Sequence, residues 1–216
     1  MKALKTYGFG PASGNKPKQL VILLHGLGAD GRDLLGLAPH FGMDLPDAVF
    51  CSPNAPFPCD MGPMGFQWFS LQDWTPAKIL QGVQAAASIL DNYITEQMEK
   101  FEVPAEKTAL VGFSQGTMMS LYVGPRFPQK IAGVLGYSGA VVWESGVDFN
   151  ALNKIPVHLI HGDADMVLPV QAYHDAKEIL EKANFPLTGG ITPGLAHSID
   201  ERGLKEGSEF LQRILL

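Results

Sequence analysis

Thr108-Ala109-Leu110-Val111-Gly112-Phe113-Ser114-Gln115-Gly116 runs into a helical pattern carried by Met118, Met119, Leu121 and Tyr122, and this strand-turn-helix decides the fold. The aliphatic run reads as a strand buried on both faces, and Pro125 and Pro128 bring the helix to an end. Gly112 and Gly116 flank Ser114 as a sharp, strained turn requires, because a side chain at either position would strike the neighbouring strand or helix. A strand before and a helix after separate this elbow from an ordinary glycine-rich turn.

The same alternation extends in both directions. Residues 20–24, Leu-Val-Ile-Leu-Leu, form a second aliphatic run that ends in His25-Gly26-Leu27-Gly28-Ala29-Asp30-Gly31, followed by a helix through Leu34, Leu35 and Leu37. Residues 48–51 predict a strand that enters a long loop, Ser52 to Trp74, rich in proline, methionine and aromatic residues. Thr75-Pro76 then opens one long amphipathic helix reaching Phe101. Further strands are expected at 131–137 and 156–160, with a weaker one at 185–191 after a helix at 169–183. Ser198 and Glu201 form a capping box for the final helix. Repeated β-α-β units predict a mostly parallel sheet with helices on both faces. With no linker or internal repeat, the chain reads as one domain spanning 1–216.

Composition agrees with that reading. A chain of 216 residues with 46% hydrophobic and 18% charged content has enough apolar material for a core without a disulfide or metal staple. Sixteen basic against twenty-two acidic residues, net −6, disfavour nucleic acid or an anionic membrane as partner. Lys2, Lys5, Lys16 and Lys18 are interleaved with glycine, proline and asparagine and read as a solvated terminal segment. The longest aliphatic run falls far short of the ~20 residues of a spanning helix, so no stable membrane insertion is expected. Two cysteines, Cys51 and Cys59, and no apolar leader after Met1 point to a reducing cytoplasm.

In a parallel sheet the C-terminal strand ends share one edge, so residues just after strands converge there. A serine hydroxyl is a weak nucleophile at neutral pH and needs a histidine base with a group to orient it. Behind such an elbow the expected order is Ser, acid, His. His158 falls in a strand and His174 in a helix. His161 precedes the strand-end acids Asp163 and Asp165, so it breaks the order and reads as a turn residue. His197, between the last strand and the final helix, is the preferred base, and either Asp163 or Asp165 can orient it. The Gly26 turn can supply one backbone N–H to an oxyanion hole and the residue after the serine another, which names Leu27 and Gln115.

Two rival readings fail on particular residues. Gly26-x-Gly28-x-x-Gly31 matches a dinucleotide fingerprint, but the end of the next strand, Val49-Phe50-Cys51-Ser52-Pro53-Asn54, lacks the acid that would bind a ribose. His25, His161, Asp163 and Asp165 lie near strand ends without a metal-ligand spacing, so no metal and no cofactor are expected.

With these residues assembled, the whole chain resembles the bacterial carboxylesterase and phospholipase family of α/β hydrolases, whose eukaryotic relatives include acyl-protein thioesterases. The matching motifs are His25 to Gly31, Pro53-Asn54-Ala55-Pro56, Trp68-Phe69-Ser70-Leu71, Gly112 to Gly116, His161-Gly162-Asp163-Ala164-Asp165 and His197-Ser198-Ile199. The resemblance implies an α/β-hydrolase fold, selects Asp165 over Asp163 as the acid, and implies oxyanion donors at Leu27 and Gln115. Two residues depart from the family's pattern. Thr117 stands where relatives often have a glycine, and Ser70 replaces a commoner aspartate.

The expected chemistry is two-step acyl transfer on Ser114, with His197 as base and Asp165 fixing its tautomer. A histidine base must be neutral, so activity should rise with pH through the ordinary histidine range, about 6.5 to 7. Substrates are expected to be small carboxylic esters of short to medium acyl chain, thioesters or lysolipids. Met61, Met64, Trp68 and Phe69, in the long loop, are the expected acyl-binding residues. That loop also has apolar surface that a homodimer would bury. The remaining length leaves no room for a lid domain, which predicts an open site and poor action on bulky triglycerides.

Overall fold

The computed structural model describes residues 3–216. In chain order it begins β1 (Thr6–Phe9), β2 (Gln19–Leu24), α1 (Gly31–Leu35), α2 (Ala38–Asp44), β3 (Ala48–Pro53), β4 (Phe57–Pro58) and β5 (Phe66–Gln67). It continues α3 (Pro76–Phe101), β6 (Thr108–Phe113), α4 (Gln115–Val123), β7 (Gly133–Tyr137), β8 (Val157–Gly162), α5 (Gln171–Lys182), β9 (Leu187–Thr192) and α6 (Glu201–Leu215).

The main sheet has seven strands in the order β1-β3-β2-β6-β7-β8-β9, all parallel except β1, which pairs antiparallel with β3. The continuous aliphatic runs are explained by two cores. Leu20, Ile22 and Leu24 turn to the face covered by α3, α4 and α5, whereas Val21 and Leu23 turn to the face covered by α1, α2 and α6. Every residue of α4 is buried, because this helix lies between the sheet and α3. The elbow helix is thereby held in the middle of the molecule. No helix among the described residues is long and apolar enough to cross a membrane.

Four local expectations are corrected. The terminal segment is not merely solvated: residues 6–9 add an edge strand to β3, with Thr6 opposite Pro53, and Lys16 and Lys18 pair with Glu102 and Asp47. Lys2 lies outside the described residues. The single helix expected through Leu37 is two helices, because Gly36 ends the first and Pro39 sits in the first turn of the second. The long loop contains a small hairpin in which Phe57 faces Gln67 and Pro58 faces Phe66. The final helix starts at Glu201 with Asp200 as its cap, whose Oδ1 accepts the Gly203 N–H at 2.8 Å. An aspartate caps as well as a serine, so Ser198 is left in the turn behind His197.

Candidate active site

Ser114 directly follows β6, with φ 54° and ψ −117°, a backbone that a residue with a side chain adopts only under constraint. The constraint comes from both sides. Its N–H donates to the Tyr137 carbonyl at 2.9 Å, and its own carbonyl accepts from Thr117 at 3.0 Å. A Cβ on Gly116 would drive into the Leu24 carbonyl, and one on Gly112 into the Gly116–Thr117 peptide. Both flanking glycines are therefore steric requirements of the elbow.

Thr117 fits the space behind the elbow. Its hydroxyl donates to the Tyr137 carbonyl at 2.8 Å and accepts the Tyr137 N–H at 3.1 Å. Its methyl fills the room left by Gly136 and Gly139, where a Cβ would collide with it. The threonine and the two glycines opposite are one packing solution.

His197 lies in the turn between β9 and α6, and its Nδ1–H donates to Asp165 Oδ2 at 2.7 Å. The other carboxylate oxygen accepts the Val167 and Leu168 N–H groups at 2.9 and 2.8 Å. Burial pushes the Asp165 carboxyl up, but hydrogen bonds from Leu168, His197 and Val167 together outweigh it and hold the group below its ordinary value. An ionised Asp165 keeps the proton of neutral His197 on Nδ1 and leaves Nε2 as an acceptor. His161 is a turn residue: its Nε2 donates to the Leu168 carbonyl at 2.8 Å.

Asp163 has a separate task. Its Oδ1 accepts the Gly194 N–H at 2.6 Å, while the Ala164 N–H donates to the Leu195 carbonyl at 3.1 Å. A Cβ on Gly162 would meet that same Leu195 carbonyl, so the end of β8 must be glycine for the His197 loop to cross it. The turn holding the acid and the turn holding the histidine are thus joined at several points.

Across the edge, the residues after β2 are fixed by the hairpin and by buried polar contacts. The Gly28 N–H donates to Phe66, and the Phe66 N–H donates to Ala29. Gly28 itself takes φ 77°. His25 is fully buried, donating from Nδ1 to the Gly26 carbonyl at 2.7 Å and accepting the Ala55 N–H on Nε2 at 2.9 Å. Burial depresses its pKa, so it stays neutral in that role. The Gln115 side chain donates to the Phe69 carbonyl at 2.8 Å and accepts the Trp68 N–H at 3.1 Å, tying the long loop to the elbow.

Ser114, His197, Leu27 and Gln115 all line one cavity of about 220 Å³. Among the described residues, no hydrogen bond uses the backbone N–H of Leu27 or Gln115, and the Ser114 hydroxyl makes none to the His197 ring. Nucleophile–base contacts commonly tighten only as substrate arrives. A larger cavity, about 500 Å³ beside Leu4, Phe57 and Ile89, has no serine, threonine, cysteine or histidine among the described residues of its wall. No group of three His, Cys, Asp or Glu among the described residues could hold a metal ion.

The expected acyl-binding residues lie elsewhere. Trp68 is 0% exposed, and its indole N–H donates to the His25 carbonyl at 3.0 Å, so the ring supports the Leu27 turn from below. Phe69 is buried against Gly82 of α3. Met61 and Met64 are 56% and 81% exposed and do not line the cavity. The apolar wall comes instead from Leu71, Trp74, Met118, Val167 and Leu168, joined by one carboxylate, Asp33. Val167 and Leu168 follow Asp165 by two and three positions, the signal in sequence that places them near the site. Ser70 accepts the Gln72 N–H at 3.2 Å and helps hold the Asp60 carboxyl below its ordinary pKa, so it serves the loop and not the cavity.

A mostly parallel sheet with a strained serine elbow and a histidine-aspartate pair at the same edge defines the α/β-hydrolase class. Within that class, the sequence model of the phospholipase/carboxylesterase family matches residues 11–215, and the chain belongs to that family. It is 30% identical over 213 residues to acyl-protein thioesterase 1 of Kluyveromyces lactis, covering 92% of each chain. It is also 30% identical to esterase YpfH of Escherichia coli, covering 93% of this chain and 85% of that one. The crystal structure of esterase PE8 superposes with a TM-score of 0.91 at 36% identity, over 98% of this chain and 99% of that one. The protein is an ester or thioester hydrolase.

Proposed function

We propose that the enzyme cleaves small carboxylic esters through an acyl-enzyme on Ser114. His197 Nε2 takes the hydroxyl proton as Ser114 Oγ attacks the carbonyl carbon, and then delivers it to the departing alcohol. Water adds to the acyl-enzyme by the same route in reverse, with His197 again as base. Asp165 holds the imidazole in the required tautomer and stabilises the imidazolium. The amides of Leu27 and Gln115 receive the oxyanion, each such donor being worth about 2.7 to 4 kcal/mol of barrier.

The 2.7 Å contact from His197 to Asp165, beside the strained Ser114, is the observation that most supports this reading. The cavity of about 220 Å³ is smaller than a typical ligand pocket and favours short to medium acyl groups. Thioesters undergo the same acyl transfer, and the resemblance to an acyl-protein thioesterase makes them a second substrate class. Free Cys51 and Cys59 support a reducing, cytoplasmic setting. Steady-state kinetics with Ser114→Ala, His197→Ala and Asp165→Asn test the roles: kcat on a butyrate ester should fall by about 10⁴ or more in each. A Ser114→Ala enzyme that retains wild-type kcat would refute the mechanism.

A further inference from the structure

Among the described residues, Asp33 is the only acidic one on the wall of the Ser114 cavity, and no lysine or arginine lines it. Helix α1 brings it there, because Gly31 packs directly on the backbone of Ser52 and Pro53 at the end of β3. The other carboxylates around the edge are engaged. Asp30 accepts from Arg32, Asp73 from Thr75 and Asp163 from Gly194, while Asp165 is held by His197. Asp33 has no side-chain hydrogen bond or ion pair among the described residues. Arg32, the nearest counter-ion in sequence, instead lies over the Tyr7 ring at 4.9 Å.

The same cavity wall includes the half-exposed aromatic ring of Trp74. An unpaired carboxylate together with an indole face is the pairing that attracts a poorly hydrated cation such as a quaternary ammonium. The Asp33 charge repels phosphate and sulfonate groups for the same reason. We propose that Asp33, assisted by Trp74, makes this site selective for ester substrates that carry a cationic nitrogen. The inference rests on Ser114 being the nucleophile and adds the substrate class. Because the cavity is open to solvent, the effect on kcat/KM is modest, about three- to fivefold, and fades with salt.

The test compares butyrylcholine, its uncharged carbon isostere and an anionic sulfonated analogue, at low ionic strength and in about 0.5 M salt. A second set carries the trimethylammonium group, or its carbon isostere, on the acyl chain. In at least one set the wild-type enzyme should prefer the cation by about threefold or more, and salt should erase the preference. Asp33→Asn should lose it, and Asp33→Glu should keep it. An unchanged cation-to-neutral ratio in Asp33→Asn across both sets, or no wild-type preference, overturns the proposal. Ser114→Ala separates the two readings. If it still hydrolyses the neutral ester, both fall; if hydrolysis needs Ser114 but the ratio ignores Asp33, only the selectivity falls.

Discussion

Asp163 and Gly194 are joined by a 2.6 Å hydrogen bond that ties the turn after β8 to the loop carrying His197. The 2.7 Å contact between His197 and Asp165 is made by two segments already fastened together beside it. Each acid of the turn therefore has its own partner: Asp165 holds the ring, and Asp163 holds the loop.

Asp163→Ala should lower kcat on the order of tenfold by loosening the His197 loop, with little change in KM. Asp163→Asn keeps an acceptor for the Gly194 N–H and should stay near wild type. Asp165→Asn should cost about 10⁴. Stopped-flow or steady-state kinetics on one chromogenic ester would compare all three. Equal losses in Asp163→Asn and Asp163→Ala would show that charge, and not the loop contact, matters at that position.

Thr117 and Gly139 should behave as a coupled pair. Gly139→Ala places a methyl into Thr117 and should destabilise by about 1–3 kcal/mol. Thr117→Gly leaves the Tyr137 N–H without its acceptor, at a cost of about 1–3 kcal/mol. Because Thr117→Gly removes the clash, the double variant should cost less than the two singles added together. Additive values in urea denaturation would contradict the packing described for the elbow.

Acyl-chain preference should follow the observed cavity wall. Trp74→Ala should raise the ratio of octanoate to acetate hydrolysis, whereas Met64→Ala should leave it unchanged, because Met64 stands away from the cavity. Trp68→Phe removes the hydrogen bond to the His25 carbonyl and should lower thermal stability and kcat together, without a shift in chain length. A chain-length shift on Met64→Ala would restore the loop methionines to the pocket.

The parts legible in the sequence were those whose signal is local. Residues 20–24 and 108–111 announce strands because both faces are buried, and Ser114 and His197 follow from strand ends and chain order, which leave Asp163 and Asp165 open until the family resemblance selects Asp165. Edge strand β1 was not legible: Thr6-Tyr7-Gly8-Phe9 is only partly buried and becomes a strand through distant pairing with β3. An aromatic residue in a long loop can line a cavity or support a neighbouring turn with equal pattern. Only the indole N–H to His25 separates those roles for Trp68. Asp33 was not legible because the Gly26–Gly31 turn, read as a motif, ends before it, whereas α1 carries the cavity wall two residues further.

Stability should fall with pH in two stages. Burial depresses the pKa values of His25 and His158, so the unfolded chain binds protons that the folded one refuses. Their contribution is full above about pH 6.5 and is lost as pH drops below it. Asp165, with its pKa lowered, keeps its contribution until pH falls through the range below about 4. His158→Phe keeps a ring against Phe210, removes one titrating group and should flatten the slope between pH 7 and 5. Calorimetry at several pH values checks this; an unchanged slope would remove His158 from the account.

Labelling with a serine-directed phosphonate, followed by peptide mass spectrometry, tests the central claim most directly. The account predicts one adduct, on Ser114, formed rapidly in the native protein and suppressed by at least a hundredfold in rate in His197→Ala. A native enzyme that hydrolyses esters yet takes no label on Ser114, or labels at the same rate without His197, would contradict it.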